Sequence, residues 1–390
     1  MSTNQSRPVR IGIVGLGNMG AAHARVLREG GVPGGELAAV CDVDPARLKA
    51  HQGVACFEKH QALIVSGRID ALLIATPHYS HTTIGIEALK AGLHVLVEKP
   101  ISVHKADCQR LIAAHRRKRQ VFAAMFNQRT DPYYLKVREL VRGGELGAIR
   151  RINWIITDWF RPHVYYASGG WRATWAGEGG GVLLNQCPHN LDLFQWIFGM
   201  PSQVRGFCQL GRYHDIEVED DVTAHFTYPD GTTAVFITST GEAPGTNRLE
   251  ITGDQGRLVL EDNQLRYTRN EIPMNEFSRT TMAHFGRPGV WNVQIPLPNH
   301  RGEQHTGILK NFVSAIREGA PLIAPAAEGI HSVELANAIL FSSLRGKTID
   351  LPLPAAAYAR TLKGLITASK PRRKSAPRGA QASDFSQSFR

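Results

Sequence analysis

Short apolar runs alternate with amphipathic helical patterns along the first third of the chain. Strand-like runs open the segment 9–27 and recur at 36–42, 70–76, 94–100 and 121–126. Helical patterns follow the first run and recur over 80–91 and 103–119. Strands that alternate with helices form a parallel sheet with helices on both faces. We therefore predict a doubly wound α/β domain at residues 1–127.

The pattern changes after residue 127, where a helix over 131–144 and a strand over 150–160 are predicted. Short strand candidates then dominate, namely SQVRGFCQL, DVTAHFTY, TTAVFITST, NRLEITG, GRLVLED and QLRYTR. Gly or Asp-Gly turns such as that in YPDGTTAV favour antiparallel hairpins. Helices are predicted over 305–318, 328–344 and about 355–368. Residues 128–368 are thus predicted to form a second, α+β domain.

Composition fits a soluble two-domain protein, with 390 residues of which 43% are hydrophobic and 20% charged. No apolar run approaches the ~18–20 residues of a membrane span. The N-terminal stretch MSTNQSRPVR has no apolar signal segment, which predicts a cytoplasmic protein without a membrane partner. Five scattered cysteines show no CxxC or Cys/His spacing, so neither a disulfide framework nor a zinc site is predicted.

Of the net charge of +11, the C-terminal stretch contributes +5. Residues 370–390, KPRRKSAPRGAQASDFSQSFR, carry six Lys/Arg and one Asp, and they are polar and without periodicity. We predict a basic disordered tail at 369–390. Such a tail can attract polyanions by charge alone, and no specific nucleic-acid partner is predicted.

A glycine-rich turn follows the first strand. Gly15, Gly17 and Gly20 form GxGxxG, in which the glycines permit a tight turn, close phosphate approach and helix–strand packing. The N–H groups around Leu16, Asn18 and Met19 would then face a pyrophosphate at a helix N-terminus. A dinucleotide site is therefore predicted.

The second strand ends in Asp42, 22 residues after Gly20. A carboxylate there accepts hydrogen bonds from ribose hydroxyls and repels the extra phosphate of NADP, so NAD(H) is favoured. Arg47 keeps NADP(H) open, and Asp42 could also be a simple turn residue. Thr76, Glu98–Lys99 and Asn127 follow other strands and should share the ligand-binding edge of the sheet.

The stretch ATPHYSHTTIGIEALKAGLHVLVEKP, taken with GxGxxG and with GGGVLLNQCPHNLDLF at 179–194, resembles the Gfo/Idh/MocA family. The resemblance implies a Rossmann domain followed by a domain with a large, mostly antiparallel sheet that serves in oligomerisation. A homo-oligomer, dimer or tetramer, is therefore expected. It also implies nicotinamide-dependent oxidation or reduction of sugars, polyols and related compounds.

In the family pattern the Glu-Lys-Pro motif supplies a catalytic lysine, which corresponds to Lys99. A desolvated lysine can stabilise developing alkoxide charge; the alternative is a surface lysine paired with Glu98. His81 resembles a family histidine near the cofactor, or it has only a local role. The cofactor residues expected are Gly15, Leu16, Gly17, Asn18, Met19, Gly20, Asp42, Thr76, Pro77, His81, Glu98, Lys99 and Asn127.

In GGGVLLNQCPHNLDLF, Asn185, His189 and Asp192 have the spacing of one helix face. His189 has a suitable unperturbed pKa for the catalytic base, and Asn185 would orient the substrate. Asp192 would hold the imidazole or act as a structural partner. Pro188 predicts a first-turn position or a kink.

Position 185 departs from the common family pattern GGG-x-x-x-D-x-x-x-H, because it is Asn rather than Asp. An amide cannot take part in proton transfer, so more of that work falls to His189 and Lys99. The departure favours a sugar or glycoside substrate over inositol itself.

A loop rich in Tyr, Trp, Arg and His lies at 161–178. Such side chains suit sugars, and Arg172 could also hold a carboxylate or phosphate; alternatively, the aromatic residues only pack on the core. The acidic run HDIEVEDD at 214–221 is predicted to be a solvated strand entrance with ion pairs, and no metal is predicted. The substrate residues expected are Lys99, Arg129, Tyr166, Trp171, Arg172, Asn185, His189 and Asp192.

The predicted function is hydride transfer between NAD(H) and a hydroxyl or keto carbon of a small sugar, glycoside or polyol. Lys99, His189 and Asn185 are the predicted catalytic residues. Two alternatives stay open at this point. One is a redox-neutral glycosidase that oxidises, eliminates and re-adds with a resident NAD. The other is a non-catalytic protein that binds NAD or a sugar.

Overall fold

The computed structural model describes residues 7–168 and 170–369, so the predicted tail at 369–390 lies outside the described residues apart from Ser369. The N-terminal part forms a six-stranded, all-parallel sheet in the order β3-β2-β1-β4-β5-β6. Its strands are β1 (Val9–Val14), β2 (Gly35–Cys41), β3 (Ala55–Phe57), β4 (Ala71–Ile74), β5 (His94–Val97) and β6 (Phe122–Ala124).

Helices connect these strands, as parallel pairing requires. They are α1 (Asn18–Arg28), α2 (Pro45–Leu48), α3 (His60–Ile64), α4 (His78–Ala91) and α5 (Lys105–Ala114). The strand order reverses between β1 and β4, which opens a crevice at the carboxyl ends of these strands. Helix α5 is shorter than the predicted 103–119, because the polar run HRRKR at 115–119 offers no apolar face to pack.

The second sheet has nine strands in the order β14-β13-β12-β11-β7-β10-β9-β8-β15. These strands are β7 (Ile149–Ile156), β8 (Gln203–Leu210), β9 (Glu219–Thr227), β10 (Thr233–Ser239), β11 (Asn247–Gly253), β12 (Gly256–Glu261), β13 (Gln264–Asn270), β14 (Val290–Gln294) and β15 (Ile349–Asp350). All neighbouring pairs are antiparallel except β7 and β10. The predicted fold class is therefore confirmed, including the hairpin between β9 and β10.

The remaining helices are α6 (Pro132–Arg142), α7 (His163–Ala167), α8 (Pro188–Phe198), α9 (Met274–Thr280), α10 (Gln304–Glu318), α11 (Gly329–Arg345) and α12 (Ala355–Ala368), with short 3₁₀ turns at Asn127–Thr130 and Ala326–Glu328. Two of these helices, α8 and α11, pack against the second sheet. Phe194 of α8 packs its ring against Phe226 and Phe236 of the sheet, with centroids 5.1 and 6.1 Å away. This contact fixes α8, and with it His189, against the sheet.

Helix α10 packs into the core of the first sheet rather than the second. Its residues Ile308, Leu309 and Phe312 are buried in the same apolar cluster as Ile11 and Ile13. Helix α10, which follows β14 in the chain, therefore packs against the N-terminal sheet. The domain boundary at residue 127 stays a prediction. No helix in the described ranges has the length and apolar character needed to cross a bilayer.

Several elements of the second part were not predicted from the sequence, among them α7, α9, β14 and β15. Helix α9 and the edge strand β14 lie in a segment whose apolar side chains face solvent, and every residue of β14 is exposed. Because these positions carry no inside–outside alternation, they gave no strand or helix signal. Helix α8 also begins only at Pro188, whereas 182–187 form turns.

Candidate active site

One cleft of about 1160 Å³ lies at the carboxyl edge of the parallel sheet, between that edge and the loops that precede α8. Side chains and backbone from both sheets' loops line it. It brings together fourteen of the predicted residues, which are Gly15, Gly17, Asn18, Met19, Asp42, Thr76, Pro77, His81, Glu98, Lys99, Trp171, Arg172, Asn185 and His189.

The glycine turn has the backbone form its sequence predicts, but the Leu16 N–H, expected to face a pyrophosphate, donates to Asp42 instead. Gly15 has φ +89°, and a Cβ there would lie 2.6 Å from the Ala75 carbonyl oxygen. Gly20 is buried beneath the turn, where a Cβ would collide with the Gly15 carbonyl. Helix α1 begins at Asn18, and Gly17 offers no capping side chain to its first turn. The N-terminus of α1 can therefore hold a pyrophosphate.

Asp42 is buried at the same end of the cleft and supports the turn. Its Oδ2 accepts the Leu16 N–H at 2.6 Å, and its Oδ1 accepts the Asp44 N–H at 2.9 Å. The exposed Arg47 lies 3.4 Å from Asp42 Oδ2. A carboxylate at this position with an open glycine turn beside it fits the ribose and pyrophosphate of a dinucleotide.

His81 lines the cleft, but both nitrogens of its ring are within hydrogen-bonding distance of backbone carbonyl oxygens. Nδ1 lies 2.8 Å from the Pro100 carbonyl oxygen, and Nε2 lies 2.7 Å from that of Thr76. The imidazole therefore joins the chain after β4 to the chain after β5. Of the two roles predicted for His81, the contacts support the local one.

Lys99 lies at the end of β5, partly buried, and is not paired with Glu98. Its Nζ donates to the backbone carbonyl of Asn185 at 2.9 Å. Burial lowers the pKa of Lys99, against the opposing effect of the Glu98 and Glu178 carboxylates. The surface-lysine alternative is thus wrong, because the side chain reaches across the cleft to the second part of the chain.

Glu98 binds a histidine instead. Its Oε1 lies 2.7 Å from Nε2 of His23, and both side chains are buried. Burial alone would raise the pKa of Glu98, but the hydrogen bond and charge of His23, with His305 and Lys99 nearby, lower it to about 2. A fixed negative charge therefore lies next to Lys99.

His189 occupies the first turn of α8 and faces the cleft. Neither ring nitrogen has a hydrogen-bond partner among the described residues, although the side chain is buried. Burial, followed by the charges of Lys99 and His305, lowers the pKa of His189 well below its usual value. An imidazole that is neutral and lacks partners is available to a bound ligand.

Asn185 does not share a helix with His189, because α8 begins at Pro188, the first-turn position predicted for that proline. Its Nδ2 donates to Oε1 of Glu178, and its Oδ1 accepts from the Tyr165 hydroxyl at 3.3 Å. The prediction that Asn185 lies on the same helix face as His189 was wrong. The residue reaches the cleft through the turn rather than through four-residue spacing.

Glu178 was missed by the sequence analysis, although it directly precedes the three glycines. It is buried, and its Oε2 accepts the Ala173 N–H at 2.5 Å. Burial raises the pKa of Glu178, which the Ala173 N–H, Arg172 and Asn185 oppose. The other cleft residues that were not predicted include His78, Trp159, Arg161, Tyr165, Gln186 and His305. His78 and Gln186 lie inside the two quoted family-like stretches, and Arg161 and Tyr165 lie inside the loop at 161–178, but none of them was selected as a site residue.

Arg129 and Asp192, predicted to bind substrate, are not in this cleft. Arg129 Nε and Nη2 each donate to Asp192 at 2.7 Å, and Nη1 donates to Glu328 at 2.5 Å and to the Ile323 carbonyl. Both side chains of the Arg129–Asp192 pair are about 1% exposed. Of the two roles predicted for Asp192, the contacts with Arg129 support the structural partner and not the residue that orients His189.

Tyr166 and Asn127 are also outside the cleft lining. The Tyr166 hydroxyl donates to Thr240 at 2.8 Å, while the preceding Tyr165 faces the cleft. Asn127 Nδ2 donates to Gln304 at 2.7 Å and so ties the chain after β6 to α10. Each of these side chains serves packing between elements.

The acidic run at 214–221 enters β9, but its centre is buried rather than solvated. Asp220 accepts from Nδ1 of His214 at 3.0 Å, and Asp221 pairs with Arg212. Glu219 accepts the N–H groups of Gly181 and Leu183 at 2.8 and 3.1 Å. Burial raises the pKa of Glu219 to about 7, despite these hydrogen bonds. Glu219 therefore supports the glycine segment that leads to Asn185.

Two family models match the chain. The model described as "Oxidoreductase family, NAD-binding Rossmann fold" matches residues 9–126. The model described as "GFO/IDH/MocA C-terminal domain" matches residues 134–259. The matched segments contain both Lys99 and His189.

Curated relatives and solved structures agree with these matches. The inositol 2-dehydrogenase of Corynebacterium glutamicum is 32% identical over 271 residues, which cover 62% of this chain and 77% of that protein. The myo-inositol 2-dehydrogenase of Thermotoga maritima is 26% identical, over 82% of this chain and 91% of its own. The WlbA dehydrogenase from Bordetella pertussis, solved with NADH and UDP-GlcNAcA, is 25% identical with a TM-score of 0.75, over 89% of this chain and 100% of that one.

Proposed function

The chain belongs to the Gfo/Idh/MocA family of NAD-binding oxidoreductases, and from this membership we propose that it interconverts a hydroxyl and a keto group on a sugar, glycoside or polyol. Relatives named as inositol dehydrogenases and a structural neighbour that binds a nucleotide sugar support this substrate class. The finer assignments of catalytic and binding residues below are part of the proposal.

One observation carries the proposal. His189 and Lys99 line the same cleft as the glycine turn, and the charge of Lys99 is close enough to lower the pKa of His189. A neutral imidazole without hydrogen-bond partners and a desolvated lysine at one site are what a hydroxyl-to-keto conversion requires. A protein that merely bound a sugar would not need both.

The cofactor would lie along the edge of the parallel sheet. Gly15, Gly17 and the N-terminus of α1 would hold the pyrophosphate, and Asp42 the adenosine ribose. NAD(H), when bound, supplies the nicotinamide carbon that exchanges a hydride with the substrate. Asp42 favours NAD(H) over NADP(H), because its carboxylate repels a 2′-phosphate.

In the oxidative direction, Nδ1 or Nε2 of His189 accepts the proton of the substrate hydroxyl. The Lys99 ammonium donates a hydrogen bond to the same oxygen and stabilises its developing negative charge. The backbone carbonyl of Asn185 holds Lys99 in position, because it accepts a 2.9 Å hydrogen bond from Nζ of Lys99. In the reductive direction the same groups return the proton.

The experiment is a turnover assay on the purified full chain. Sugars, glycosides and polyols are incubated with NAD⁺, and both NADH absorbance and product are followed. We expect one NADH for each ketone formed. Glycoside cleavage without net NADH would indicate the redox-neutral glycosidase, and NADH binding without turnover on any substrate would indicate a binding protein. Either result would overturn the proposal. The predicted homo-oligomer and cytoplasmic location stay predictions.

A further inference from the structure

One buried histidine in the second part of the chain contacts the backbone that borders the cleft. His214 lies in the loop between β8 and β9, and its side chain is about 4% exposed. Its Nε2 lies 2.8 Å from the carbonyl oxygen of Arg161. Trp159, Arg161 and Tyr165 all line the cleft. The contact therefore holds the middle of a cleft-lining stretch, which we call the 159–165 segment.

The other ring nitrogen of His214 faces a carboxylate. Nδ1 lies 3.0 Å from Oδ2 of Asp220, a fully buried side chain near the start of β9. The Asp220 carboxylate also accepts the N–H groups of Arg212, Tyr213 and His214, at 2.8, 2.8 and 3.0 Å. Burial alone would raise the pKa of Asp220, but the hydrogen bonds from His214 and from the Tyr213 and Arg212 N–H groups lower it. A negative charge therefore lies against the ring.

These two neighbours decide which form of the imidazole fits the site. A neutral imidazole carries one N–H, whereas the imidazolium carries two. The Asp220 carboxylate and the Arg161 carbonyl can only accept hydrogen bonds. The imidazolium of His214 donates to both at once, and the ion pair with Asp220 stabilises its charge. In the neutral form the N–H stays on Nδ1, toward the carboxylate, so the Nε2 lone pair opposes the Arg161 carbonyl oxygen.

The other groups packed against the His214 ring come from α7. The ring centroids of His163 and Tyr166 lie 5.2 and 4.7 Å from that of His214. The Tyr166 hydroxyl donates to Thr240 rather than to His214. Asp220 thus favours the imidazolium form of His214 by contact and charge, and a protonated His163 would oppose it. Arg212, in the same loop as His214, is paired with Asp221.

We propose that His214 is a positioning residue for the site: its imidazolium binds the Arg161 carbonyl and sets the 159–165 segment along the cleft, and loss of a proton releases that carbonyl. For its effect on turnover, the inference rests on the proposed oxidoreductase function. Lys99 and His189 lie on other elements, so release of the segment should weaken substrate binding rather than the chemical step. KM should therefore rise with pH, while kcat follows Lys99.

Hydrogen–deuterium exchange on the full chain tests the release without any substrate. The Arg161 N–H donates to the Thr240 carbonyl at 2.9 Å and so reports on the 159–165 segment. Protection is measured from about pH 5 to about pH 9 and corrected for the intrinsic pH dependence of exchange. We expect protection of this segment to fall about 10-fold once His214 is neutral, as loss of a charge-assisted hydrogen bond implies.

Variants assign the transition to His214. His214→Gln cannot ionise, so protection of the 159–165 segment should no longer depend on pH. Asp220→Asn removes the charge that favours the imidazolium, so the transition should move to lower pH. His163→Asn removes the neighbouring imidazole and should keep a transition. His225→Gln, at an exposed position of β9, is the matched control and should behave like the unaltered protein.

Turnover connects the release to substrate binding. With a substrate found in the NADH assay, KM should rise about 10-fold over the pH interval in which protection of the 159–165 segment falls. In His214→Gln, KM should stay constant over that interval. A residue needed only for folding would not give a KM that follows the protonation of one side chain.

The outcomes separate this inference from the proposed function. Protection that stays constant with pH in the unaltered chain, or a transition that persists in His214→Gln, would overturn the inference. A transition in protection with a constant KM would also overturn it, because the segment would then not position the substrate. Absence of NADH formation with every substrate would instead overturn the proposed function, and the exchange experiment would still decide whether His214 releases Arg161. Thermal melting identifies any variant that fails to fold.

Discussion

The side-chain amide of Asn185 donates a hydrogen bond to Glu178, a buried carboxylate seven positions earlier in the chain. The common family pattern carries its carboxylate at position 185 itself. In this chain the carboxylate lies one hydrogen bond further from the cleft. Asn185 connects it to the site, through Tyr165 on one side and through the backbone contact with Lys99 on the other.

Glu178 should set the pH range of activity through Lys99. Its negative charge raises the pKa of Lys99, so Glu178→Gln should lower that pKa. If the Lys99 ammonium stabilises the reacting oxygen, activity falls as Lys99 loses its proton at high pH. The alkaline limb of kcat against pH should therefore move to lower pH in the variant.

A charge swap provides the control for this prediction. Asn185→Asp combined with Glu178→Gln returns one carboxylate to the pair and should move the limb back toward its original position. Asn185→Asp alone places two carboxylates in contact, which raises the pKa of one of them. An alkaline limb that stays unchanged in Glu178→Gln would contradict the role given to Glu178.

Lys99→Ala and His189→Ala should each lower turnover by at least ~10²-fold, because each removes a group that handles charge or a proton in the transition state. NADH binding, measured separately, distinguishes loss of chemistry from loss of the cofactor. Lys90→Ala, on the last turn of α4 and outside the cleft, is the matched lysine control. Near-normal turnover in either active-site variant would show that the assignment is wrong.

The parts of the site that lie in local backbone patterns could be predicted from the sequence. A glycine turn, a strand-end carboxylate and a strand-end lysine depend on neighbours in the chain. For this reason Gly15, Asp42 and Lys99 all line the cleft as expected. The parallel sheet could likewise be predicted from strands that alternate with helices, and the antiparallel sheet from consecutive strands joined by short turns.

The remaining parts depend on contacts between distant segments. Arg129 joins Asp192 and Glu328 across three elements, and nothing near Arg129 in sequence indicates this pairing. Tyr165 and Tyr166 are adjacent, and only the orientation of the single-turn helix α7 decides which faces the cleft. Asn185 had helical spacing to His189, but Pro188 starts the helix and leaves Asn185 in a turn.

The Arg129–Asp192 pair should matter for stability rather than for substrate binding. Asp192→Ala leaves a guanidinium buried with half of its hydrogen bonds, a change that costs about 3–5 kcal/mol in comparable buried pairs. The melting temperature should fall sharply. The double variant Arg129→Met/Asp192→Leu removes both charges and should melt above Asp192→Ala. A single variant as stable as the unaltered chain would contradict the structural role.

Asp42 should determine cofactor choice. Asp42→Ala removes the carboxylate that supports Leu16 and repels a 2′-phosphate, while leaving Arg47 free of its 3.4 Å contact with Asp42. The ratio of kcat/KM for NAD⁺ over NADP⁺ should fall by about 10-fold or more, as one charged interaction implies. Asp44→Ala is the control, since Asp44 also contacts Arg47 but is not part of the cleft lining. An unchanged ratio in Asp42→Ala would exclude this role.

Glu219 should make stability depend on pH. Burial raises its pKa to about 7 in the folded chain from an ordinary value of 4.5, so between these pH values the folded state binds more protons than the unfolded state. Stability therefore falls as pH rises through this window, by at most about 3 kcal/mol for this group.

Glu219→Gln keeps an oxygen for the Gly181 and Leu183 N–H groups but cannot ionise. Its melting temperature relative to the unaltered chain should rise from pH 5 to pH 8. Glu219→Ala removes that oxygen and should melt lower than Glu219→Gln at every pH. A difference between Glu219→Gln and the unaltered chain that stays constant with pH would show that Glu219 does not titrate in this range.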